Sequence, residues 1–465
     1  MRPAVAIAAA FAAAYSVYGL FRHWHFGSSA FDLGIFDQAV WHMSRFEAPA
    51  STISGFSNIL GDHFYPVIAL FVPLYWLLPR PETLVVAQAI LLAASLVPVF
   101  LFARDRLPRG PALALTVAYG LFWGMQETMA FDVHEMAFAP LAVACAVLAL
   151  DRRRWTMFWI AAAALVLIKE DLIPFLTGAG VYLVLNGEVR RGVALTVASL
   201  IAFAVVVGLV VPSFNDAGVY NHASSYGELL GRPWLIPAAM VTPAAKLETA
   251  FMWLAPFLFM SLWSPLVILA APIAAERLLS SSPTHWATIF HYSAPLAPIL
   301  AMSAADGLGR LTRRITATQS VTAGRRFVTG IVATVVLLCA ILPGGLPLWR
   351  LFRAAHYLDT ASDQEGRLVV AMIPDDATVV AQAAIVPHLS QRPVIHMLDG
   401  SAPDADYVIA AEGLSPWPAN LFGELQMLLE NRRMRGYTVF FERNGWIVLR
   451  RSPAVPPNDG QISGR

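Results

Sequence analysis

The stretch PAVAIAAAFAAAYSVYGL (residues 3–20) is an apolar run, and FDLGIFDQAVW (residues 31–41) follows shortly after it. A membrane-spanning helix needs about 20 mainly apolar residues. The run ends in small residues and follows an arginine, so it also resembles a signal peptide, but many further apolar runs come after it. An uncleaved first membrane span is therefore expected, with two aspartates just beyond its end.

The composition of the whole chain indicates a membrane protein. Its 465 residues are 57% hydrophobic and only 14% charged, whereas soluble domains carry about 25% charged residues. The formal net charge is +1 and no basic arm is present, which argues against a nucleic-acid partner. Cys145 and Cys339 lie inside apolar runs and are expected to be small buried side chains, not a disulfide or a metal site.

Eleven apolar runs are expected to span the membrane as helices. They cover residues 4–21, 84–103, 111–126, 134–150, 155–168, 172–186, 193–212, 249–262, 264–279, 288–305 and 327–342. One further run, FYPVIALFVPLYWLL (residues 64–78), contains two prolines and has aromatic residues at its ends. This pattern favours a helix that lies in the membrane interface.

The distribution of arginines among the loops indicates which side of the membrane each loop faces. If the N-terminus is cytoplasmic, the inner loops hold thirteen arginines, as the positive-inside rule requires. Only two of the 32 basic residues are lysines, a bias typical of a GC-rich bacterial genome. The sequence therefore predicts a multi-pass protein of a bacterial plasma membrane, with a cytoplasmic N-terminus and an extracytoplasmic C-terminal part.

The chain divides into three predicted parts. Residues 1–342 are expected to form the transmembrane domain. Residues 343–452 alternate short β-type runs with helical stretches and predict a small extracytoplasmic α/β domain. Residues 453–465 have the composition of a disordered tail. The predicted fold class is therefore mainly α, a polytopic helical bundle with interfacial helices in its first outer loop and a C-terminal α/β domain.

Polar side chains from distant segments converge on the outer side of this topology. Ionisable residues close to a membrane are costly and usually face a cavity or a pathway, so their convergence predicts a functional site. The residues are Asp32 and Asp37, Asp62 and His63, His134 and Glu135, Lys169, Glu170 and Asp171, and His291 and Tyr292.

Each cluster also has a structural explanation. Asp32 is a candidate N-cap for a helix that begins near Leu33. Asp62 is placed to satisfy the amides of a turn, and Glu135 suits a helix N-terminus. Lys169 has acidic neighbours within its own triplet. The mixture of His, Asp and Glu would also suit a divalent cation such as Mg²⁺ or Mn²⁺, but no HExxH-type spacing is present, so a metal cofactor stays open.

Asp32 and Asp37 are five residues apart, which separates them by about 140° around a helix. A site made from this pair alone is therefore not expected. Asp32 is expected to face a cavity, while Asp37 and Gln38 orient the loop or coordinate a partner. Lys169, one of only two lysines, would suit an anionic headgroup. His291 is either a second phosphate contact or an aromatic anchor at a helix end.

Five motifs resemble those of a bacterial membrane family. They are FDLGIFDQAVW, GDHFYPVIALFVPLYWLL, DVHEMAFAPL, LIKEDLIPFL and HYSAPLAPIL. The family is catalogued as a domain of unknown function (two thousand and seventy-nine) and is related to the GT-C superfamily of membrane glycosyltransferases. The resemblance covers most of residues 1–310 and continues weakly into VPHLSQRPVIHML.

The resemblance implies an essential acid in the first outer loop, interfacial helices, and a sugar donor on a polyprenyl phosphate that enters from the lipid. Asp32 matches the acid by its position in the motif, and residues 64–78 match the second interfacial helix. Many GT-C enzymes carry an adjacent acidic pair where this chain has Asp32-Leu33-Gly34, which leaves metal dependence open.

An inverting transfer would use Asp32 as the general base for the acceptor hydroxyl. Lys169, with His291 and Tyr292, would bind the donor phosphate, because cations act strongly on developing charge in a water-poor site. The sugar and the acceptor (a glycan, a lipid or a protein) are not specified by these residues.

Two other classes of function remain open. One is a transporter or flippase of a lipid-linked or anionic solute. Against it, no internal repeat is visible, and the polar groups gather on one face instead of at the middle of the membrane. The other is a non-catalytic envelope assembly protein whose working part is the C-terminal domain.

Overall fold

The structure is a computed structural model that describes residues 1–451. The predicted tail, residues 453–465, lies outside the described residues. The α-helices are α1 (Arg2–Trp24), α2 (Ile35–Ser44), α3 (Val72–Tyr75), α4 (Pro81–Ala94), α5 (Leu96–Ala103), α6 (Arg109–Leu121), α7 (Trp123–Ala130), α8 (Ala139–Asp151), α9 (Trp155–Ile168), α10 (Ile173–Leu185), α11 (Val189–Val205), α12 (Val211–Phe214), α13 (Gly227–Gly231), α14 (Ile236–Ala239), α15 (Ala245–Leu254), α16 (Ala271–Leu279), α17 (Pro283–Trp286), α18 (Leu296–Thr318), α19 (Val321–Ile341), α20 (Ala361–Met372) and α21 (Phe422–Met434).

The helical bundle is that of a multi-pass membrane protein. Among the described residues, four helical stretches are long and apolar enough to cross a membrane by length and composition, and other helices are shorter or less apolar. The four are Arg2–Trp24, Pro81–Ala103, Val189–Phe214 and Val321–Ile341. Apolar runs predict where helices form, but bundle packing decides how far each helix continues.

Several of the predicted spans have different limits. The predicted span 134–150 begins too early, because α8 starts at Ala139 after a 3₁₀ turn, and the predicted span 111–126 is interrupted after Leu121. In the predicted span 249–262, α15 ends at Leu254, and Leu258 and Phe259 have φ angles of 51° and 57°. Bulky residues in this left-handed region interrupt a helix. The predicted span 288–305 is wrong at both ends, because a 3₁₀ turn begins at His291 and α18 continues to Thr318.

The first loop contains short interfacial helices, as predicted. The run at residues 64–78 forms a 3₁₀ turn (Pro66–Phe71) that continues into α3, and α3 packs on α2. Ten helical residues are too few to cross a bilayer. Leu70, Leu77 and Leu78 are exposed, as expected for side chains that face lipid.

The C-terminal part contains a sheet of five described strands in the order β2-β1-β3-β5-β4. The strands are β1 (Val379–Ala381), β2 (Ile395–Met397), β3 (Tyr407–Ala411), β4 (Tyr437–Arg443) and β5 (Trp446–Arg451). Strand β1 pairs in parallel with β2 and β3, and β5 pairs antiparallel with β3 and β4. Each β-type run of the sequence forms one of these strands.

The sheet is joined to the first loop by hydrogen bonds between segments far apart in sequence. The Thr52 hydroxyl donates to the carbonyl of Ile395 at 2.6 Å and accepts from its N–H at 3.0 Å. The N–H of Ala30 donates to the carbonyl of Ala383 at 2.8 Å. We call the side of the bundle that carries the first loop and the sheet the site face.

Candidate functional site

Asp32 lies in a tight turn (Ala30–Gly34) between α1 and α2. Helix α2 begins at Ile35 with Gly34 at its N-cap and no side-chain cap. The expectation that Asp32 caps this helix is therefore wrong. The Asp32 carboxylate instead contacts a histidine. Oδ2 of Asp32 lies 2.5 Å from Nε2 of His134, and 16% of the Asp32 side chain stays exposed.

His134 is held in the connection between α7 and α8. Its backbone N–H donates to the Gln88 side chain at 3.0 Å, and the Gln88 amide nitrogen donates to the carbonyl of Asp132 at 2.7 Å. Nδ1 of His134 lies 3.2 Å from Glu135. Burial alone would lower the pKa of His134, but the carboxylates of Asp32 and Glu135 raise it to about 9. The imidazole is therefore protonated at neutral pH.

Glu135 connects this pair to the Lys-Glu-Asp triplet. Oε1 of Glu135 lies 3.1 Å from Nζ of Lys169, and this nitrogen lies 3.6 Å from Oδ2 of Asp171. The predicted ion pair within the triplet is confirmed, although the shorter contact of Lys169 is with Glu135. We call the series Asp32, His134, Glu135, Lys169 and Asp171 the charge chain.

His291 is buried beside the charge chain, so the expectation of an aromatic anchor at a helix end is wrong. The centroid of its ring is 3.5 Å from that of His134 and 4.1 Å from that of Tyr292. Neither ring nitrogen has a hydrogen-bond partner within residues 1–451. Buried polar atoms are normally satisfied, so this imidazole retains hydrogen-bonding capacity for a ligand.

Asp62 and His63 form a second cluster. His63 Nδ1 lies 2.5 Å from Oε1 of Glu170, which also accepts from the Tyr220 hydroxyl at 3.1 Å. Asp62 Oδ1 lies 2.9 Å from Nε2 of His222, and the rings of His63 and His222 stack with centroids 3.8 Å apart. The expectation that the Asp62 carboxylate satisfies turn amides is wrong, because its partner is His222.

A cavity of about 450 Å³ opens beside this cluster. Its polar lining includes His63, Asp171, Tyr220, His222, Tyr226 and Glu276, and its apolar lining includes Pro174, Phe203, Val207, Ile236 and Leu279. A cavity with polar groups and apolar walls suits an amphiphilic ligand. Because Asp171 lines it, the cavity is in contact with the charge chain. A larger cavity of about 670 Å³ has an almost wholly apolar lining and includes none of the predicted site residues.

The sequence analysis missed several polar residues near the site. Glu276 accepts a hydrogen bond from the Tyr226 hydroxyl at 2.6 Å, inside the cavity. Asp132 forms an ion pair with Arg22. The available signals were weak: Glu276 interrupts an apolar run, and Asp132 precedes the His-Glu pair by two positions. For His222, only the polar composition of the segment between α12 and α15 pointed to a role.

Asp37 and Gln38 do not reach the charge chain. The buried Asp37 carboxylate accepts hydrogen bonds from Tyr75, from Ser390 at 2.6 Å and from Gln391 at 3.0 Å. Burial raises its pKa to about 6, although these donors oppose the shift. The Gln38 amide donates to the carbonyl of residue 392 at 3.1 Å. Both side chains thus lie in the joint between the first loop and the C-terminal sheet.

Residues 22–448 match the family described as "Predicted membrane protein (DUF2079)". The chain belongs to this family. Among proteins with curated descriptions, none matches the sequence. Two solved structures of ArnT from Cupriavidus metallidurans are similar to this family member. ArnT bound to undecaprenyl phosphate has a TM-score of 0.53 at 12% identity, with 97% of this chain and 98% of that chain covered. Apo ArnT has a TM-score of 0.51 at 12% identity, with 93% and 97% covered.

This member of the family has the same fold as ArnT over nearly its whole length. The predicted family and the predicted fold class, a mainly α polytopic bundle with a small C-terminal sheet, are therefore confirmed. At 12% identity the likeness shows the fold alone. What the chain does depends on its own residues.

The residues around Asp32 do not fit a metal ion in their present arrangement. Asp32, His134 and His291 offer donor atoms within 4.8 Å of one another. However, the Asp32 and His134 atoms that face each other are 2.5 Å apart. Two ligands of one cation lie roughly 3 Å apart when each metal–ligand bond is about 2.1 Å. A divalent cation such as Mg²⁺ or Mn²⁺ stays a prediction.

Proposed function

We propose that the protein is a membrane glycosyltransferase that moves a sugar from a polyprenyl-phosphate donor to an acceptor on the outer face of the membrane. The observation that carries the proposal is the charge chain, because it connects Asp32 to an amphiphilic cavity. ArnT, which has the same fold, has been solved with undecaprenyl phosphate, a lipid of this chemical class. In this proposal the site face is extracytoplasmic.

The cavity would receive the donor, with the isoprenoid against its apolar wall and the phosphate near Lys169. An ammonium group has three N–H donors, and Glu135 and Asp171 are the ion-pair partners of Lys169, at 3.1 and 3.6 Å. Two carboxylate partners would leave an N–H of the ammonium for a phosphate oxygen. His291 and Tyr292 lie beside the same network and would contact the phosphate or the sugar.

In the proposed reaction, Asp32 removes the proton of the acceptor hydroxyl. The hydroxyl oxygen forms a bond to the anomeric carbon, the bond from that carbon to the phosphate oxygen breaks, and the lipid phosphate leaves with the electron pair. His134 would hold the Asp32 carboxylate in position for this step through the contact between its Nε2 and Oδ2 of Asp32. Asp62, His63 and Glu170 would position the cavity wall.

The deciding experiment is lipid-resolved mass spectrometry of the purified full-length protein and of cells that carry only the Asp32→Asn variant. We expect a polyprenyl-phosphate sugar to copurify with the protein and to accumulate in those cells, because binding would survive while transfer stops. If no such lipid binds or accumulates, and a solute or lipid instead fails to move between leaflets, the protein is a transporter and Asp32 is a pathway residue.

A further inference from the structure

A basic cleft of about 350 Å³ lies on the site face. It is formed by the end of α1 and by the segment that follows α19. The basic side chains that line it are Arg22, His25, Arg350, Arg353 and His356. Within the described chain, no acidic side chain lines it. The cleft shares no lining residue with the cavity assigned to the donor.

Several polar groups in this cleft lack a partner within the described residues. Arg350 and Arg353 are exposed, and neither forms an ion pair within residues 1–451. Nε2 of His25 and Nε2 of His356 are buried, and neither atom has a hydrogen-bond partner in the part of the chain that the structure describes. Buried nitrogens without partners are uncommon in native proteins, so two of them beside two free guanidinium groups indicate an anion-binding site.

The acidic groups near the cleft pair with some of its basic residues but leave Arg350 and Arg353 without an ion pair in the part of the chain that the structure describes. Asp132 forms an ion pair with Arg22, and Asp363 lies 2.9 Å from Nδ1 of His25. Asp359 pairs with Arg367 instead of a cleft arginine. Glu127 acts electrostatically on Arg350 without an ion pair in the described residues. The cleft therefore keeps an excess of positive charge.

Exposed apolar side chains lie next in sequence to the residues that line the cleft. Phe352 is 82% exposed, Leu358 is 64% exposed, and Trp349 is also exposed. Trp24, two positions after Arg22 at the end of α1, is exposed as well. Aromatic residues at the ends of spanning helices mark the level of the lipid headgroups. The segments that supply the arginines therefore also supply apolar side chains, as a ligand with a phosphate and acyl chains would require.

We propose that this cleft binds the phosphate group of an anionic phospholipid from the leaflet on the site face, at a site separate from the donor cavity. Arginine suits this ligand because its planar guanidinium donates two parallel hydrogen bonds to phosphate oxygens. Arg22 also connects the cleft to Asp132, two positions before His134. The inference does not rest on the proposed transferase activity and would hold equally for a transporter.

The test is a titration of the full-length protein in detergent micelles with phosphatidylglycerol, followed by native mass spectrometry. Diacylglycerol with the same acyl chains is the phosphate-free comparator. We expect the double variant Arg350→Gln/Arg353→Gln to bind phosphatidylglycerol about tenfold more weakly than the wild type. His356→Gln, which removes no arginine, should weaken binding by a smaller factor. Diacylglycerol should bind weakly and equally to all variants.

The matched control is Arg325→Gln/Arg326→Gln, which removes two exposed arginines from the opposite end of α19. Its affinity for phosphatidylglycerol should equal that of the wild type. The proposal is overturned if the cleft variant binds as tightly as the wild type, or if both double variants lose affinity equally. It is also overturned if millimolar inorganic phosphate binds the wild type as strongly as the lipid does, since the ligand would then come from water.

Discussion

Asp32 and Asp37 lie five residues apart in one loop, yet their surroundings differ in kind. Asp32 has one close partner, a protonated imidazole, and stays 16% exposed. Asp37 is fully buried and accepts hydrogen bonds from three neutral side chains. A carboxylate with one partner and an open side can still accept a proton. A carboxylate enclosed by donors holds segments together.

The variant Asp32→Asn is the first test of this difference between the two aspartates. If Asp32 is the general base, the rate of sugar transfer should fall by about 10²–10⁴-fold, the range typical for removal of such a group. The amide has nearly the same shape, so the midpoint of thermal unfolding should stay within a few degrees. The measurement is the transfer rate together with a thermal unfolding curve. A variant that transfers sugar at the wild-type rate would exclude Asp32 as the base.

The second test extends the comparison along the charge chain with Lys169→Met. A hydrogen bond to a charged group contributes roughly 1.5–3 kcal/mol, so the affinity for a polyprenyl-phosphate donor should fall about tenfold or more. Lys246→Met is the matched control, because Lys246 is the other lysine and donates to the carbonyl of Ala239 at 2.8 Å, outside the charge chain. Equal donor affinities in the two variants would contradict the phosphate role of Lys169.

The third test applies the same substitution as the first at the enclosed carboxylate. In Asp37→Asn the amide nitrogen cannot accept from Ser390, and the other two hydrogen bonds lose a charged acceptor. The free energy of unfolding should fall by roughly 1–2 kcal/mol, while the transfer rate per folded molecule should change less than tenfold. If the transfer rate instead fell as far as in Asp32→Asn, with no change in the free energy of unfolding, Asp37 would also have a role in the reaction.

The smallest expected effect is a dependence of the transfer rate and of the unfolding midpoint on pH. It concerns Asp32, whose partner His134 titrates, and not Asp37. Because the folded pKa of His134 is raised to about 9, its ionised form stabilises the fold fully below about 6.5, its unfolded value. That contribution is lost as the pH rises through about 9. Both the transfer rate and the unfolding midpoint should decline there. His134→Gln should remove this alkaline step, and a step that persists in the variant belongs to another group.

The sequence predicted those parts of the fold that have a local pattern. Apolar runs, β-type runs and the proline-containing run at residues 64–78 were each recognisable within a short window, and so were the acids and histidines near the ends of spans. The break after α15 was not recognised, although Pro256 shortly after this helix is a local signal against its continuation. There, Gly307 of α18 packs so closely that a Cβ would overlap the carbonyl oxygen of Met260. Tertiary packing of this kind has no local signature.

Many residues of the candidate site could be recognised in the sequence, but the contacts between them could not. His222 meets Asp62 across 160 residues of chain, and Ser390 meets Asp37 across 353. A single sequence gives no pattern that links such positions. The separation of Asp32 from Asp37 was predicted from helical geometry, although Asp32 itself lies in the turn before α2.

The Gln38 side chain has a consequence for how the protein is made. Its hydrogen-bond acceptor on the C-terminal side, the carbonyl of Arg392, lies 354 residues downstream. A ribosome adds about 5–20 residues per second, so about 20–70 s pass between the synthesis of Gln38 and that of Arg392. Until then, the loop that holds Asp32 lacks this hydrogen bond. During that interval the proposed catalytic loop is incomplete. A nascent chain therefore acquires a formed site only when its synthesis is nearly finished.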